Sequence, residues 1–306
     1  NFRNDPSKKT EEKSDVVEKA TSDISPLPEK KVLKGGKHVF QSFNNCGPAS
    51  LSMLLSYYDI NLRQEHLGKE LRPYQNPQGN NDDKSVTLLE LGLKAEEYDF
   101  TVYHRPVGDI RMIQKFIAQD IPVLTRTWLK PNEDIGHYRV VKGYDLNKEV
   151  LIQDDSLQGK NLSYKYNDFN DIWQAFNYEF LVLVPEGKDL IEKEILDERL
   201  DKQSAWQLAL SSAEETEAES PDDIYAEFNK LRAHYRLGNY QKAADIFEGV
   251  QSALSKRMLW YQIEPILAYY QLGDYEKVME LSQAVFDSQN RAFSELHYLR
   301  GKIYEQ

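Results

Sequence analysis

Between residues 47 and 119 apolar positions recur three and four apart, and this period predicts amphipathic helices over 47–58, 63–72, 86–97 and 109–119. The pattern then changes. IPVLTRTW (121–128), HYRVVKGYD (137–145), EVLIQD (149–154) and EFLVLVP (179–185) are short, rich in β-branched and aromatic residues, and read as strands. Between the last two, DFNDIWQAF (168–176) reads as a short helix behind an Asn or Asp cap. Helices followed by strands predict an α+β domain over 37–186 rather than a doubly wound sheet.

Beyond Pro185 the strand signals stop, and only helical spacing continues, with a polar break expected at SAEETEAESPDD (212–223). AHYRLGNYQKAADIFEGV (233–250) and AYYQLGDYEKVMELSQAV (268–285) align with Gly238 on Gly273, a period of 273 − 238 = 35 residues. That is close to the roughly 34 of tetratricopeptide arrays, which the segment 225–306 resembles. Residues 187–224 are then a helical and polar connector. LHYLRGKIYEQ (296–306) has the look of the first helix of a third repeat, so the array is expected to continue past Gln306. At the other end, residues 1–36 are rich in Lys, Glu, Asp, Ser and Pro and read as a flexible linker closing on Gly35-Gly36.

A length of 306 residues agrees with two domains. The net charge of −12 leaves no positive field to hold phosphates, so nucleic acid is not an expected partner. No run of 18 apolar residues is present, and no membrane span is expected. The start at Asn1 rather than Met leaves room for an upstream leader or anchor. The expected location is accordingly extracytoplasmic, secreted or tethered by such a segment, with the cytoplasm as the alternative. One cysteine cannot form an internal disulfide or a multi-thiolate metal site, and neither HExxH nor GxxxxGK[ST] occurs, so no metal or other cofactor is expected.

That cysteine, Cys46, stands in FQSFNNCGPASLSML (40–54) where a helix should begin, with Pro48 in the first turn. Unsatisfied N–H groups and the helix dipole favour a thiolate there, and Gly47 is expected to let a substrate approach. A buried, inert thiol is the competing reading. Of the six histidines, only His137 opens a strand directly after a glycine, Gly136. If the following hairpin turns on Asn147-Lys148, cross-strand partners sum to about 295. Asp154 then opposes Val141 on the face of His137, while Asp155 points away. Asp154 lies four positions along from His137, a gap that twist or a bulge must close.

Gln41-x4-Cys46-Gly-Pro-Ala, Gly136-His137 with an apolar strand, and Ile152-Gln153-Asp154 together resemble the papain-like cysteine peptidases related to the bacteriocin double-glycine leader peptidases. The resemblance covers roughly 38–186. It implies helices first and an antiparallel sheet after, a bacterial source, and hydrolysis of a peptide or protein substrate. It also implies Cys46 as nucleophile, His137 as base, Asp154 as orienting acid and Gln41 as oxyanion donor, with Asn44 or Asn45 as substitutes for Gln41. Asp155 stands where the family usually has proline, and Gln41 is five residues before the cysteine where six is common. A protein partner is expected on the repeats. Two other readings share these residues: a Cys-triad acyltransferase, and an inactive peptidase fold kept as a binding platform. Gly35-Gly36 is either a hinge or, by the resemblance, a self-cleavage site.

Overall fold

The computed structural model describes residues 26–73 and 85–305. In chain order its first half comprises β1 (Lys30–Val32), α1 (Cys46–Ser56), α2 (Gln64–Leu71), α3 (Leu88–Ala95), β2 (Phe100–Arg105), α4 (Ile110–Ala118), β3 (Val123–Trp128), β4 (Gly136–Asp145), β5 (Val150–Asp155), β6 (Gly159–Lys165), α5 (Tyr166–Trp173) and β7 (Phe180–Pro185). The strands form one antiparallel sheet in the order β2-β7-β3-β4-β5-β6. Leu51, Leu54, Leu67 and Leu91 of α1–α3 pack on Leu124, Tyr138 and Val140 of one sheet face. Met112, Ile113, Phe116 and Trp173 of α4 and α5 cover Val123, Val141 and Val182 on the other. This is an α+β domain, as the order of helical and strand patterns predicts.

The linker reading of 1–36 does not hold for its end, and residues 1–25 lie outside the described residues. Lys30–Val32 pairs with the last residues of β4, and Leu33 is buried in the core beneath α4. Gly143 makes room for that strand, since a Cβ there would lie 2.8 Å from the Lys31 carbonyl oxygen. Next to it, β4 carries a bulge: Gly143 faces Ile152, but Val141 faces Gln153. The extra residue, Lys142, changes the pairing sum from 295 to 294.

The second half is all-helical: α6 (Asp189–Leu196), α7 (Lys202–Glu219), α8 (Ile224–Arg236), α9 (Tyr240–Val250), α10 (Met258–Tyr261), α11 (Glu264–Leu272), α12 (Tyr275–Asp287) and α13 (Ser294–Tyr304). α7 runs through most of the expected break at 212–223. Ala and Glu are strong helix formers, and Ala205, Ala209 and Ala213 make a buried i, i+4 stripe. The 35-residue match has a geometric counterpart. α8 and α11 each end at a left-handed glycine, Gly238 (φ +82°) and Gly273 (φ +77°). Tyr235 meets Tyr240 at 5.6 Å, and Tyr270 meets Tyr275 at 5.7 Å. No described helix is long and apolar enough to cross a membrane.

The two halves share a core. Trp128, Ile172 and Phe176 are buried together with Phe228, Phe247, Met258 and Ile266 of the helical half. Around it, Trp128 Nε1 donates to the Tyr225 hydroxyl (3.0 Å), and Gln262 Nε2 donates to the Ala175 carbonyl (2.9 Å). A buried ion cluster spans the seam: Arg232 bridges Glu179, at the start of β7, and Glu264 of α11, at 2.5 and 3.0 Å.

Candidate active site

α1 begins at Cys46, so the thiol sits where helical N–H groups are unpaired. Asn45 does not cap the helix with its side chain. Its amide is held by the Ser42 hydroxyl and the Arg72 guanidinium instead, which removes it as an oxyanion donor. Gly47 faces inward: a Cβ there would touch Tyr138, Val86 and Leu91. At 3.4–3.6 Å these are ordinary contacts on the packed side of the helix, so the missing side chain does not open the way for a substrate.

His137, the second residue of β4, is 2% exposed and hydrogen-bonded to Cys46. Its Nε2 bonds the Asp155 Oδ1 at 2.8 Å, which leaves Nδ1 for the thiol. The expected acid is corrected here. The bulge at Lys142 turns Asp154 opposite Val140 and Asp155 opposite Arg139, the next residue on the face of His137. Asp154 instead pairs with Lys142 Nζ at 2.6 Å and accepts from the Asn161 N–H at 2.9 Å. The isolated glycine in RVVKGYD is the sequence signal of a bulge that identifies which aspartate meets His137.

Asp155 is fully buried and well satisfied. Besides His137 it accepts from Arg139 Nη1 (2.7 Å) and from the backbone N–H groups of Leu157 (2.7 Å) and Gln158 (2.8 Å). Burial pushes its carboxyl up, but His137, Arg139 and the backbone donor outweigh burial and hold it below the usual carboxylate range. Arg139 is itself fixed by the Thr127 hydroxyl and the Leu129 carbonyl. At the other end of the relay, burial pushes the Cys46 thiol up, yet its hydrogen bond to His137, the imidazolium charge and nearby Arg126 bring it below the ordinary thiol range. His137 moves the opposite way: burial opposes its charge, and Asp155 and Cys46 together raise it. Each shift favours the thiolate–imidazolium pair.

Cys46 and His137 open onto a cleft of about 410 Å³. Gln41 lies on its rim, tied to β5's end by its N–H to the Ser156 carbonyl and by its Oε1 accepting from the Ser156 hydroxyl, both 2.8 Å. With Oε1 engaged, Nε2 is the end left to donate. Asn44 also lines the cleft. The far wall was not visible in the sequence: Arg257, Trp260, Tyr261 and Asn290 come from the helical half. Gly35-Gly36 is remote from all of this. Gly36 lies against the ring of Tyr57, just past the end of α1, while Cys46 starts that helix about 15 Å away by helical rise.

Residues 32–180 match the model of the Peptidase_C39 like family. Among solved structures, a protein from Bacillus anthracis described as a C39-like peptidase is 18% identical and covers 52% of this chain and 99% of its own, with a TM-score of 0.43. The peptidase domain of Streptococcus ComA, a bifunctional ABC transporter involved in quorum sensing, is 20% identical over 50% of this chain and 100% of its own (TM-score 0.39). A double-glycine-motif protease from an AMS/PCAT transporter, in complex with its leader peptide, is 17% identical over 51% and 96% (TM-score 0.34). No curated protein matches. The match covers just under half of the chain, and the segment 32–180 is similar to the Peptidase_C39 like family.

Proposed function

We propose that the protein is a cysteine peptidase that hydrolyses peptide bonds through Cys46, His137 and Asp155. The observation that carries this reading is the relay itself. A helix-start thiol, a buried imidazole and a buried carboxylate with four donors are joined in line, and the thiol faces an open cleft. A binding platform has no need of a carboxylate buried beside an arginine and a histidine, because such groups are costly to desolvate.

In the reaction the Cys46 thiolate attacks the carbonyl carbon while His137 holds the proton on Nδ1. The developing oxyanion is stabilised by the Cys46 backbone N–H and by Gln41 Nε2. His137 then protonates the leaving amine, the C–N bond breaks, and an acyl-thioester remains. Water, deprotonated by the now neutral imidazole, releases the acid and restores the thiol. Asp155 fixes the imidazole tautomer and offsets its charge throughout. The helical half frames this cleft and takes part in substrate recruitment. The test is hydrolysis of a mixed peptide library by the whole chain. Cys46→Ala is expected to abolish turnover with an unchanged circular dichroism spectrum; cleavage that persists in Cys46→Ala refutes the assignment.

A further inference from the structure

The cleft has two walls of different origin. The Gln41–Asn44 loop and Cys46 form one, and the helical half supplies Trp260, Tyr261 and Asn290 to the other. Resting on the peptidase reading above, we propose that this second wall is a specificity subsite that receives a large apolar side chain on the leaving-group side of the scissile bond, with Asn290 holding the adjoining backbone.

The side follows from the chemistry. His137 must lie within hydrogen-bond reach of the leaving nitrogen, so the chain that departs with that nitrogen runs past the residues next to His137. Those are Gly136 and Ile135 of the domain and Tyr261 of the helical half, whose ring lies 3.0–3.1 Å from where a Gly136 Cβ would be. The chemistry of the wall is apolar. Beside Trp260 and Tyr261, the α+β domain adds Ile135 (42% exposed) and Leu157 (51%), which present large apolar side chains to solvent at the cleft for a substrate side chain to cover. Trp260 is held in place by its Nε1 donating to the Ser288 hydroxyl at 2.7 Å. The only cation on this wall among the described residues, Arg257, is paired with Asp134 at 2.6 Å, so the wall carries no net charge to select an acidic residue.

Asn290 adds a polar requirement. It is 2% exposed, and among the described residues its Oδ1 has no hydrogen-bond partner. A buried acceptor left unpaired is unfavourable, and a turn of the Asn290 amide towards the cleft it lines lets a backbone N–H of a bound peptide satisfy it. Wall and acceptor together match an extended segment: a side chain turned towards Trp260 and a main-chain donor turned towards Asn290.

The test uses Michael-acceptor peptides that alkylate Cys46 without turnover and carry Ala, Asp, Leu or Phe on the leaving-group side. Rates are divided by that of iodoacetamide on the same variant. The whole chain is expected to react about tenfold faster with the Leu and Phe probes than with Ala or Asp. Trp260→Ala should erase that preference. Because Trp260 also packs into the shared core, Asn290→Ala is the second variant; its side-chain oxygen has no partner to lose, and it should slow all four peptide probes about fivefold. A wild type without preference, or normalised rates unchanged in Asn290→Ala, overturns the subsite. An iodoacetamide rate that is ordinary and indifferent to His137→Ala instead overturns the peptidase reading beneath it.

Discussion

Asp154 and Asp155 are adjacent, both buried and both paired, yet they hold different partners: Lys142 for the first, His137 and Arg139 for the second. Their substitutions should separate accordingly. Asp155→Asn takes the imidazole's tautomer partner away and is expected to lower turnover on a peptide substrate by roughly a hundredfold or more. Asp154→Asn weakens a buried ion pair on the other face and is expected to act on stability, by up to about 3 kcal/mol, with turnover close to wild type. Parallel assays of hydrolysis and chemical unfolding decide it, and equal kinetic losses would contradict the assignment. Cys46, His137 and the rim position of Gln41 were legible in the sequence because each sits at an element boundary with its own local signal. The carboxylate that meets His137 was not, because alternation along a strand assigns faces only until the first bulge.

At the scale of elements, the bulge at Lys142 and the glycine beside it do two tasks. The bulge sets which aspartate reaches the histidine, and Gly143 lets β1 lie close against β4. Gly143→Ala would put a methyl group against backbone atoms of Lys31 and Val32, which cannot move aside as a side chain would. It is expected to cost about 1–3 kcal/mol and to speed hydrogen exchange in 30–32; unchanged exchange there would show that β1 is not held by this contact. The main strands and helices were readable from periodicity. β1, β2 and β6 were not: the first lies in a charged stretch, and GKNLSYK of β6 has half-exposed and exposed positions throughout and little apolar content. For β2 the alternation in FTVYHR exists, but it directly follows a helix and its signal merges with that of the helix.

At the scale of the molecule, the helical half is bound into the peptidase domain. A chain ending at residue 187 would expose Trp128, Ile172 and Phe176 and lose one wall of the cleft. It is expected to be poorly soluble and weakly reactive; a monomeric, fully active product would contradict the shared core. Acid should loosen the same seam. Arg232, and for Glu264 also Arg236, hold Glu179 and Glu264 below the usual carboxylate range against the effect of burial, Glu264 at about 2. A carboxylate depressed in the folded state stabilises above its unfolded value near 4.5, and that stability is lost as pH falls through the folded value. The thermal midpoint is therefore expected to drop between about pH 4.5 and 2, less so in Glu264→Gln; no difference between the two would show that the cluster does not govern acid stability. None of this seam was legible, because contacts between residues 32 to 97 positions apart leave no local pattern in a single sequence.

The relay of Cys46, His137 and Asp155 is tested most directly by the pH dependence of Cys46 alkylation with iodoacetamide, in the wild type and in His137→Ala. Rapid labelling is expected in the wild type below the ordinary thiol range near 8.5. In His137→Ala burial acts without its main opponent, so the inflection should move to higher pH, and labelling at neutral pH should fall by about tenfold or more. An inflection at or above the ordinary range in the wild type, unmoved by His137→Ala, would mean that Cys46 is a structural thiol and that the cleft is not a peptidase site.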